Sequence, residues 1–143
     1  MKKGTIEYSP NTCQAQFHAE CEKPAREKGS VKVVSFVSGF GGGKTYAGAM
    51  QAAIMALRSP GLQGLIVSPS FPLAEMESGA IWHLFEIFEN AEPQVQYTYN
   101  KSDHEFTLAN GAVIKVVSAE RPEKIVSTTA AWAWLDEPGM YKP

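Results

Sequence analysis

The stretch SGFGGGKT, residues 38–45, decides how the rest of this sequence is interpreted. It matches the phosphate-loop pattern G-x-x-x-x-G-K-[ST] at Gly43, Lys44 and Thr45, but it has Ser38 where the pattern has its first glycine. In such a loop, backbone N–H groups converge on a phosphate, the lysine adds a positive charge and the hydroxyl ligates Mg²⁺. The alternative is a glycine-rich turn that happens to end in Lys-Thr.

The residues on either side favour the phosphate loop. VKVVSFVS, residues 31–38, is a β-branched apolar run, and its nearly continuous hydrophobicity predicts a strand buried on both faces of a parallel sheet. Residues 45–59 are rich in Ala and Met with no breaker before Pro60, which predicts a helix. A strand before the loop and a helix after it are the context that a phosphate site requires.

The loop and its neighbours are therefore predicted to bind a nucleoside triphosphate together with Mg²⁺. Lysine would contact the β- and γ-phosphates, and the threonine hydroxyl would be a ligand of Mg²⁺. The predicted binding residues are Ser38, Gly39, Phe40, Gly41, Gly42, Gly43, Lys44, Thr45 and Tyr46.

An acidic pair at the end of another strand would complete such a site. Residues 131–135, AWAWL, form a short apolar run that stops at Asp136 and Glu137. Asp136 is predicted to hold Mg²⁺ through its water shell, and Glu137 to polarise the attacking water as general base. The alternative is that Asp-Glu-Pro only ends a strand in a solvated turn. We prefer the catalytic interpretation because GGGKT precedes this pair in the same chain.

The other patterns complete an α/β fold with a largely parallel sheet flanked by helices and a β-hairpin insertion. Trp132 and Trp134 are expected to pack in the core, on opposite faces of their strand. The predicted elements are a polar helix at 11–28 that ends or kinks at Pro24, a buried strand at 64–70, an amphipathic helix at 71–90 capped by Ser70, a hairpin of 95–100 and 105–110 with a turn at Asn110-Gly111, and strands at 112–119 and 131–135.

Composition limits the function. The chain has 143 residues, enough for one domain, and a net charge of −2, which excludes a chain that is basic throughout. No apolar run has the length of a membrane span, and the start lacks the apolar segment of a signal peptide, so an intracellular protein is expected. Cys13 and Cys21, with His18 between them, fit no zinc pattern.

Several segments together resemble the ATPase domain of tailed-phage large terminase subunits, the motors that pump viral DNA into capsids. They are SPNTCQAQFH, SGFGGGKT, VSPSFPLAEMESGAIWHLFE, ANGAVIKVVSAERPEKI and AWAWLDEP, and the resemblance spans residues 8–143. It implies a P-loop NTPase of the additional-strand type, related to RecA and the helicases, that hydrolyses ATP. The alternatives are a helicase-like or repair ATPase, and a truncated relic that binds nucleotide without turnover.

The resemblance also assigns roles to residues. Gln14 matches the glutamine that hydrogen-bonds adenine, a task that suits an amide because it can donate and accept at once; Gln16 is the alternative. Lys44, Thr45, Asp136 and Glu137 match the phosphate, magnesium and catalytic positions, with Glu137 and Lys44 as the catalytic pair.

Two positions depart from the family pattern. Phe40 stands where many terminases carry an arginine inside the loop, and Val126-Ser127 stands where they carry Arg-Gly, the proposed arginine finger. Arg121 and Lys124 are the nearest cations, so the finger residue is open. With Lys115 they form a thin basic group that is more typical of a solvated edge than of a DNA track.

The resemblance implies double-stranded DNA, the portal protein and the small terminase subunit as partners, a homo-oligomeric ring, and no membrane. It places the protein in the host cytoplasm at the procapsid portal, encoded by a phage or prophage. Residues 1–143 are expected to be a truncated ATPase domain without the nuclease domain, and a feeble ATPase. In the related ATPases the next strand inserts between the loop strand and the acidic strand. Without it, strands 31–38 and 131–135 would face a gap or pair directly.

Overall fold

The computed structural model of the protein describes residues 7–39 and 43–143, which form one five-stranded sheet with helices packed on it. The helices are α1 (Thr12–Glu22), α2 (Lys44–Arg58), α3 (Phe71–Glu75), α4 (Ala80–Asn90) and α5 (Pro122–Val126), with a 3₁₀ turn at Pro138–Met140. The strands are β1 (Gln63–Ser68), β2 (Tyr97–Asn100), β3 (Glu105–Leu108), β4 (Val113–Ser118) and β5 (Trp132–Leu135).

The sheet has the order β2-β3-β4-β1-β5 and is mixed, so the prediction of a largely parallel sheet needs correction. β1 pairs in parallel with β4 and β5, whereas β3 pairs antiparallel with both β2 and β4. The reason is the short turn at Asn110 and Gly111, which can join only antiparallel neighbours; Gly111 has a φ of +83° there. The predicted hairpin is confirmed as β2 and β3, and it extends the sheet at one edge.

The prediction of a buried strand at residues 31–38 is wrong. The segment joins no ladder of the described sheet, and β5 is an edge strand with β1 as its partner. Val31, Val33 and Val37 are 90%, 82% and 90% exposed. A β-branched run favours extended backbone, but burial also requires a neighbouring strand that offers its edge.

This segment is held by α1 instead. The ring of Phe36 stacks on that of Phe17 in α1, with 5.2 Å between the centroids. The ammonium group of Lys32 donates to the backbone carbonyls of Glu20 and Lys23 near the end of the same helix. α1 itself ends at Glu22, just before Pro24, as predicted.

The helix predicted at 71–90 is two helices, α3 and α4. Ser70 caps α3 as expected, accepting from the N–H of Leu73. The break follows from two residues after α3: Ser78 has a φ of +68°, and Gly79 lies so close to α3 that a Cβ would be 2.3 Å from the carbonyl oxygen of Leu73. The periodicity of apolar residues therefore indicated correctly that both helices bury one face, but it did not indicate the turn between them.

The core lies between one face of the sheet and the helices α2 and α4. Its members include Ala49, Ala53, Leu84, Phe88, Phe106 and Ile114. α2 is 15 residues long, and no helix in the described ranges has the length and apolarity needed to cross a membrane.

Both β5 tryptophans pack against this core, so the expectation of opposite faces is wrong: residues two apart on a strand share a face. Each indole lies on a glycine. A Cβ on Gly64 would be 2.0 Å from Trp132, and a Cβ on Gly48 of α2 would be 2.2 Å from Trp134. Because Gly48 has no side chain, α2 can lie close to Trp134 of β5.

Gly48→Ala should therefore destabilise the protein, although alanine is the better helix former by about 1 kcal/mol. Forcing the indole of Trp134 away is expected to lower the free energy of unfolding by about 1–3 kcal/mol, measured by urea denaturation. Gly139→Ala is the control, since nothing lies within 4 Å of its Cβ position; it should change stability by less than about 0.5 kcal/mol. Equal stabilities for both variants would contradict the packing argument.

Candidate functional site

The fold brings the glycine-rich segment and the acidic pair together, although they lie far apart in sequence. The hydroxyl of Thr45, in the first turn of α2, donates to Asp136 Oδ1 at 3.4 Å across a separation of 91 residues. Lys44 Nζ lies 3.7 Å from Glu137 Oε1. Because β5 pairs in parallel with β1, the acidic pair after β5 lies at the carboxyl end of β1, where α2 begins.

The start of α2 has the local features of an anion site. Gly43 is its N-cap with a φ of +70°, and it offers no side chain to the free N–H groups of the first turn. Such groups, together with the helix dipole, favour an anion. Lys44 turns back and donates to the carbonyl oxygen of Ser38 at 3.0 Å. Gly39 is exposed, and the predicted contacts Phe40, Gly41 and Gly42 lie outside the described residues.

Asp136 is the most strongly perturbed acid in the site. Burial, and then the negative charge of Glu137, raise the pKa of its carboxyl group to about 6, while the hydrogen bond from Thr45 and the charge of Lys44 oppose the shift. A buried carboxylate with one cation nearby is costly to ionise. Its oxygen and the Thr45 hydroxyl are hard donors of the type that Mg²⁺ prefers, so the residues present fit this ion.

Gln14 lies beside the glycine-rich segment, with 7% of its surface exposed. Its Oε1 accepts from the N–H of Asn11, whose side chain in turn accepts from the N–H of Gln14, so the two form a capping box at the start of α1. Its Nε2 donates to the carbonyl oxygen of Gly43 at 3.1 Å. One N–H and one lone pair of the amide take no part in these bonds, which is what pairing with a base edge requires.

The Tyr46 side chain packs against protein groups. Its ring lies 5.5 Å from that of Tyr8 and meets His83 edge-on at 5.0 Å. Burial, and then the charge of Glu86, raise the pKa of its phenol. A contact between Tyr46 and a ligand would therefore come from its backbone N–H. Arg121 and Lys124, the cations nearest to the family's finger position, lie at the start of α5 and within it, and both are exposed.

Sequence reasoning missed three contributors to this site. The first is Asn11, whose spacing of three residues from the predicted Gln14 is that of a capping box, so the sequence did carry a signal for it. No sequence pattern marks Gly48, because a residue without a Cβ is required there only through the contact of α2 with Trp134. No pattern marks Tyr141 either: its hydroxyl lies 2.8 Å from the carbonyl oxygen of Val67 and 2.9 Å from that of Asp136.

The family model described as terminase large subunit, T4likevirus-type, N-terminal, matches residues 35–140. This match covers more than half of the chain and includes both halves of the site. The chain belongs to this terminase family. The family match also decides against the helicase-like or repair ATPase.

Solved structures show that this terminase chain shares its fold with a known ATPase domain. The large terminase ATPase domain of Thermus phage P74-26 is 20% identical, with a TM-score of 0.67 over 94% of this chain and 56% of that one. A point mutant of that domain is 21% identical, with a TM-score of 0.56 over 73% and 47%. The terminase chain thus spans about half the length of these structures. It matches none of the curated sequences with which it was compared.

Asp136→Asn should stabilise the magnesium-free protein at neutral pH. The folded pKa of about 6 lies above the ordinary value of 3.8, so the ionised carboxylate destabilises the fold above pH 6, and wild-type stability rises as the pH falls from about 6 towards 4. A shift of about two units corresponds to roughly 2–3 kcal/mol.

Urea denaturation in EDTA at pH 7.5 and at pH 4 measures this difference. The variant should be the more stable protein at pH 7.5, and the two should converge at pH 4. Glu77→Gln, at an exposed position between α3 and α4, is the control and should follow the wild type at both values. A variant that is less stable than wild type at pH 7.5 would refute the buried-charge account.

Proposed function

We propose that this chain binds ATP with Mg²⁺ and hydrolyses it, as the P-loop ATPase part of a terminase large subunit that packages phage DNA. The observation that supports this most strongly is the meeting of α2 and β5, which places Lys44 beside Glu137 and Thr45 beside Asp136. An isolated glycine-rich turn, or an isolated acidic turn, would not require this juxtaposition.

Each of these side chains has a role in the proposal. Lys44 leaves the carbonyl of Ser38 and the carboxylate of Glu137 to contact the β- and γ-phosphates. Glu137, released from Lys44, orients a water molecule and accepts its proton as the water attacks the γ-phosphorus. The first-turn N–H groups of α2 stabilise the negative charge of the phosphates.

Thr45 and Asp136 would hold Mg²⁺, Asp136 through water. Within residues 7–39 and 43–143 there is no cluster of three or more His, Cys, Asp or Glu side chains able to hold a metal ion alone. This fits Mg²⁺, which is usually bound by one or two protein oxygens with water and substrate phosphates. When bound, the ion neutralises charge on the phosphates.

Membership of the terminase family supports a proposal for the larger assembly. We infer that the protein acts on double-stranded DNA in the host cytoplasm, with the portal protein and the small terminase subunit, as a homo-oligomeric ring. Residues 1–143 would supply the ATPase site of the large subunit.

The roles of Lys44 and Glu137 can be separated by mutation. Lys44→Ala should abolish MgATP binding, because it removes the phosphate clamp. Glu137→Gln should bind MgATP within about threefold of wild type but lose hydrolysis by at least a hundredfold, because it removes the proton acceptor. Binding is measured by isothermal titration calorimetry, and hydrolysis by single-turnover release of radiolabelled phosphate.

Lys101→Ala and Glu77→Gln, at exposed positions away from the site, are the matched controls and should behave as wild type. Equal loss of binding in Lys44→Ala and Glu137→Gln would contradict the assigned roles. Wild-type protein that binds MgATP without any turnover would instead support the nucleotide-binding relic.

A second test concerns the base. If Gln14 reads adenine, ATP should bind more tightly than GTP, and Gln14→Ala should narrow that preference by on the order of 1 kcal/mol. Because Gln14 also holds the carbonyl of Gly43, the variant should lose some affinity for inorganic tripolyphosphate, which has no base. An unchanged ATP-to-GTP ratio would assign the adenine contact to another residue.

A further inference from the structure

The hydroxyl of Tyr141 connects the acidic turn to the carboxyl end of β1. Its single hydrogen is shared between the carbonyl oxygens of Val67, at 2.8 Å, and of Asp136, at 2.9 Å. The Val67 carbonyl also accepts from the N–H of Asp136 at 2.9 Å. Both backbone polar groups of Asp136 are thus tied to one point on the central strand.

The hydrogen bonds of Tyr141 also affect the backbone of the next residue, Glu137. The carbonyl of Asp136 and the N–H of Glu137 belong to one planar peptide unit, so holding the carbonyl fixes ψ of Asp136 and the plane from which the backbone of Glu137 continues. Glu137 adopts φ +46° and ψ +55°, the left-handed region that is unfavourable for a residue with a Cβ. Pro138 follows and disfavours the right-handed helical alternative for Glu137. Strained backbone of this kind persists only where the surroundings enforce it.

The ring and the hydroxyl of Tyr141 have different roles. The ring packs on the apolar cluster of Leu65, Val67 and Val117, which is a stabilising role that phenylalanine would also fill. The hydroxyl alone reaches the two carbonyls. Burial, followed by the charges of Asp136 and Glu137, raises the pKa of Tyr141, so the phenol keeps its hydrogen throughout the neutral range.

We propose that Tyr141 is a positioning residue, whose hydroxyl fixes the Asp136–Glu137 peptide so that the Glu137 carboxylate faces the first turn of α2. The 3.7 Å approach of Glu137 Oε1 to Lys44 Nζ shows the direction in which this carboxylate is held. The inference rests on the proposed hydrolysis of ATP, in which Glu137 is the general base.

Tyr141→Phe tests the proposal, with Tyr97→Phe as the matched control. The Tyr97 hydroxyl, like that of Tyr141, donates to an oxygen atom, in this case Glu89 Oε1 at 2.9 Å. Tyr97, however, lies on β2 at the opposite edge of the sheet. Tyr141→Phe should bind MgATP within about threefold of wild type and hydrolyse it about ten- to a hundredfold more slowly, because the base is misplaced while the phosphate site is intact. Tyr97→Phe should match wild type in both measurements.

Amide hydrogen exchange supplies a readout that does not depend on activity. In Tyr141→Phe the amide of Asp136, which donates to the Val67 carbonyl, should exchange at least about tenfold faster than in wild type, through local opening. The amide of Ala131, which donates to the Gln63 carbonyl at the other end of β5, serves as the internal reference and should not change. Tyr97→Phe should show wild-type exchange at both amides.

Wild-type hydrolysis in Tyr141→Phe would overturn the proposal, whatever the exchange rates, because the hydroxyl would then be structural only. Slower hydrolysis with unchanged exchange would also overturn it, since Tyr141 would not act through the peptide. Both results leave the proposed ATPase function intact. Absence of turnover in the wild-type chain would refute the proposed hydrolysis and this inference with it.

Discussion

The parallel pairing of β5 with β1 is the constraint on which the site depends. The register sets Trp132 beside Gly64 and Leu135 beside Val67, so the acidic pair emerges level with the end of the central strand. The tryptophans of β5 pack on Gly64 and Gly48, and the absence of a Cβ at these glycines allows β5 to lie close to α2. A slip of one residue would turn both indoles to the other face of the sheet and would separate the acidic pair from α2.

This packing imposes an electrostatic cost on the folded protein. Asp136 is held in a partly buried position next to Glu137, and the raised pKa of its carboxyl group reflects how unfavourable its charge is there. The positive charge of Lys44 partly offsets the charge of Asp136, but Lys44 is shared with Glu137 and the Ser38 carbonyl. Folded proteins accept such destabilising arrangements mainly at functional sites.

Helix α1 supports the glycine-rich segment from both sides. Phe17 stacks on Phe36 before residues 40–42, and Gln14 donates to the carbonyl of Gly43 after them. The exposed segment 31–38 therefore reaches the site through contacts with a helix, and not as a member of the described sheet.

The sequence by itself determined the features that depend on local chemistry. The Ala-rich run formed α2, Asn110-Gly111 formed the turn between β3 and β4, and the apolar run before Asp136 formed β5, because each signal is contained within a few neighbouring residues. The GGGKT and Asp-Glu motifs indicated the residues that would meet, and the family was indicated by these motifs together with the other segments between residues 8 and 143.

Only the tertiary structure decided which distant groups meet. Whether residues 31–38 become a buried strand depends on a partner edge, and no property of VKVVSFVS specifies one. The break between α3 and α4 depends on how closely Gly79 approaches Leu73, and the role of Tyr141 depends on two carbonyl groups, one of them 74 positions away in the chain. Close packing and shared hydrogen bonds of this kind join residues that no local pattern connects, because they are set by the three-dimensional arrangement of the whole core.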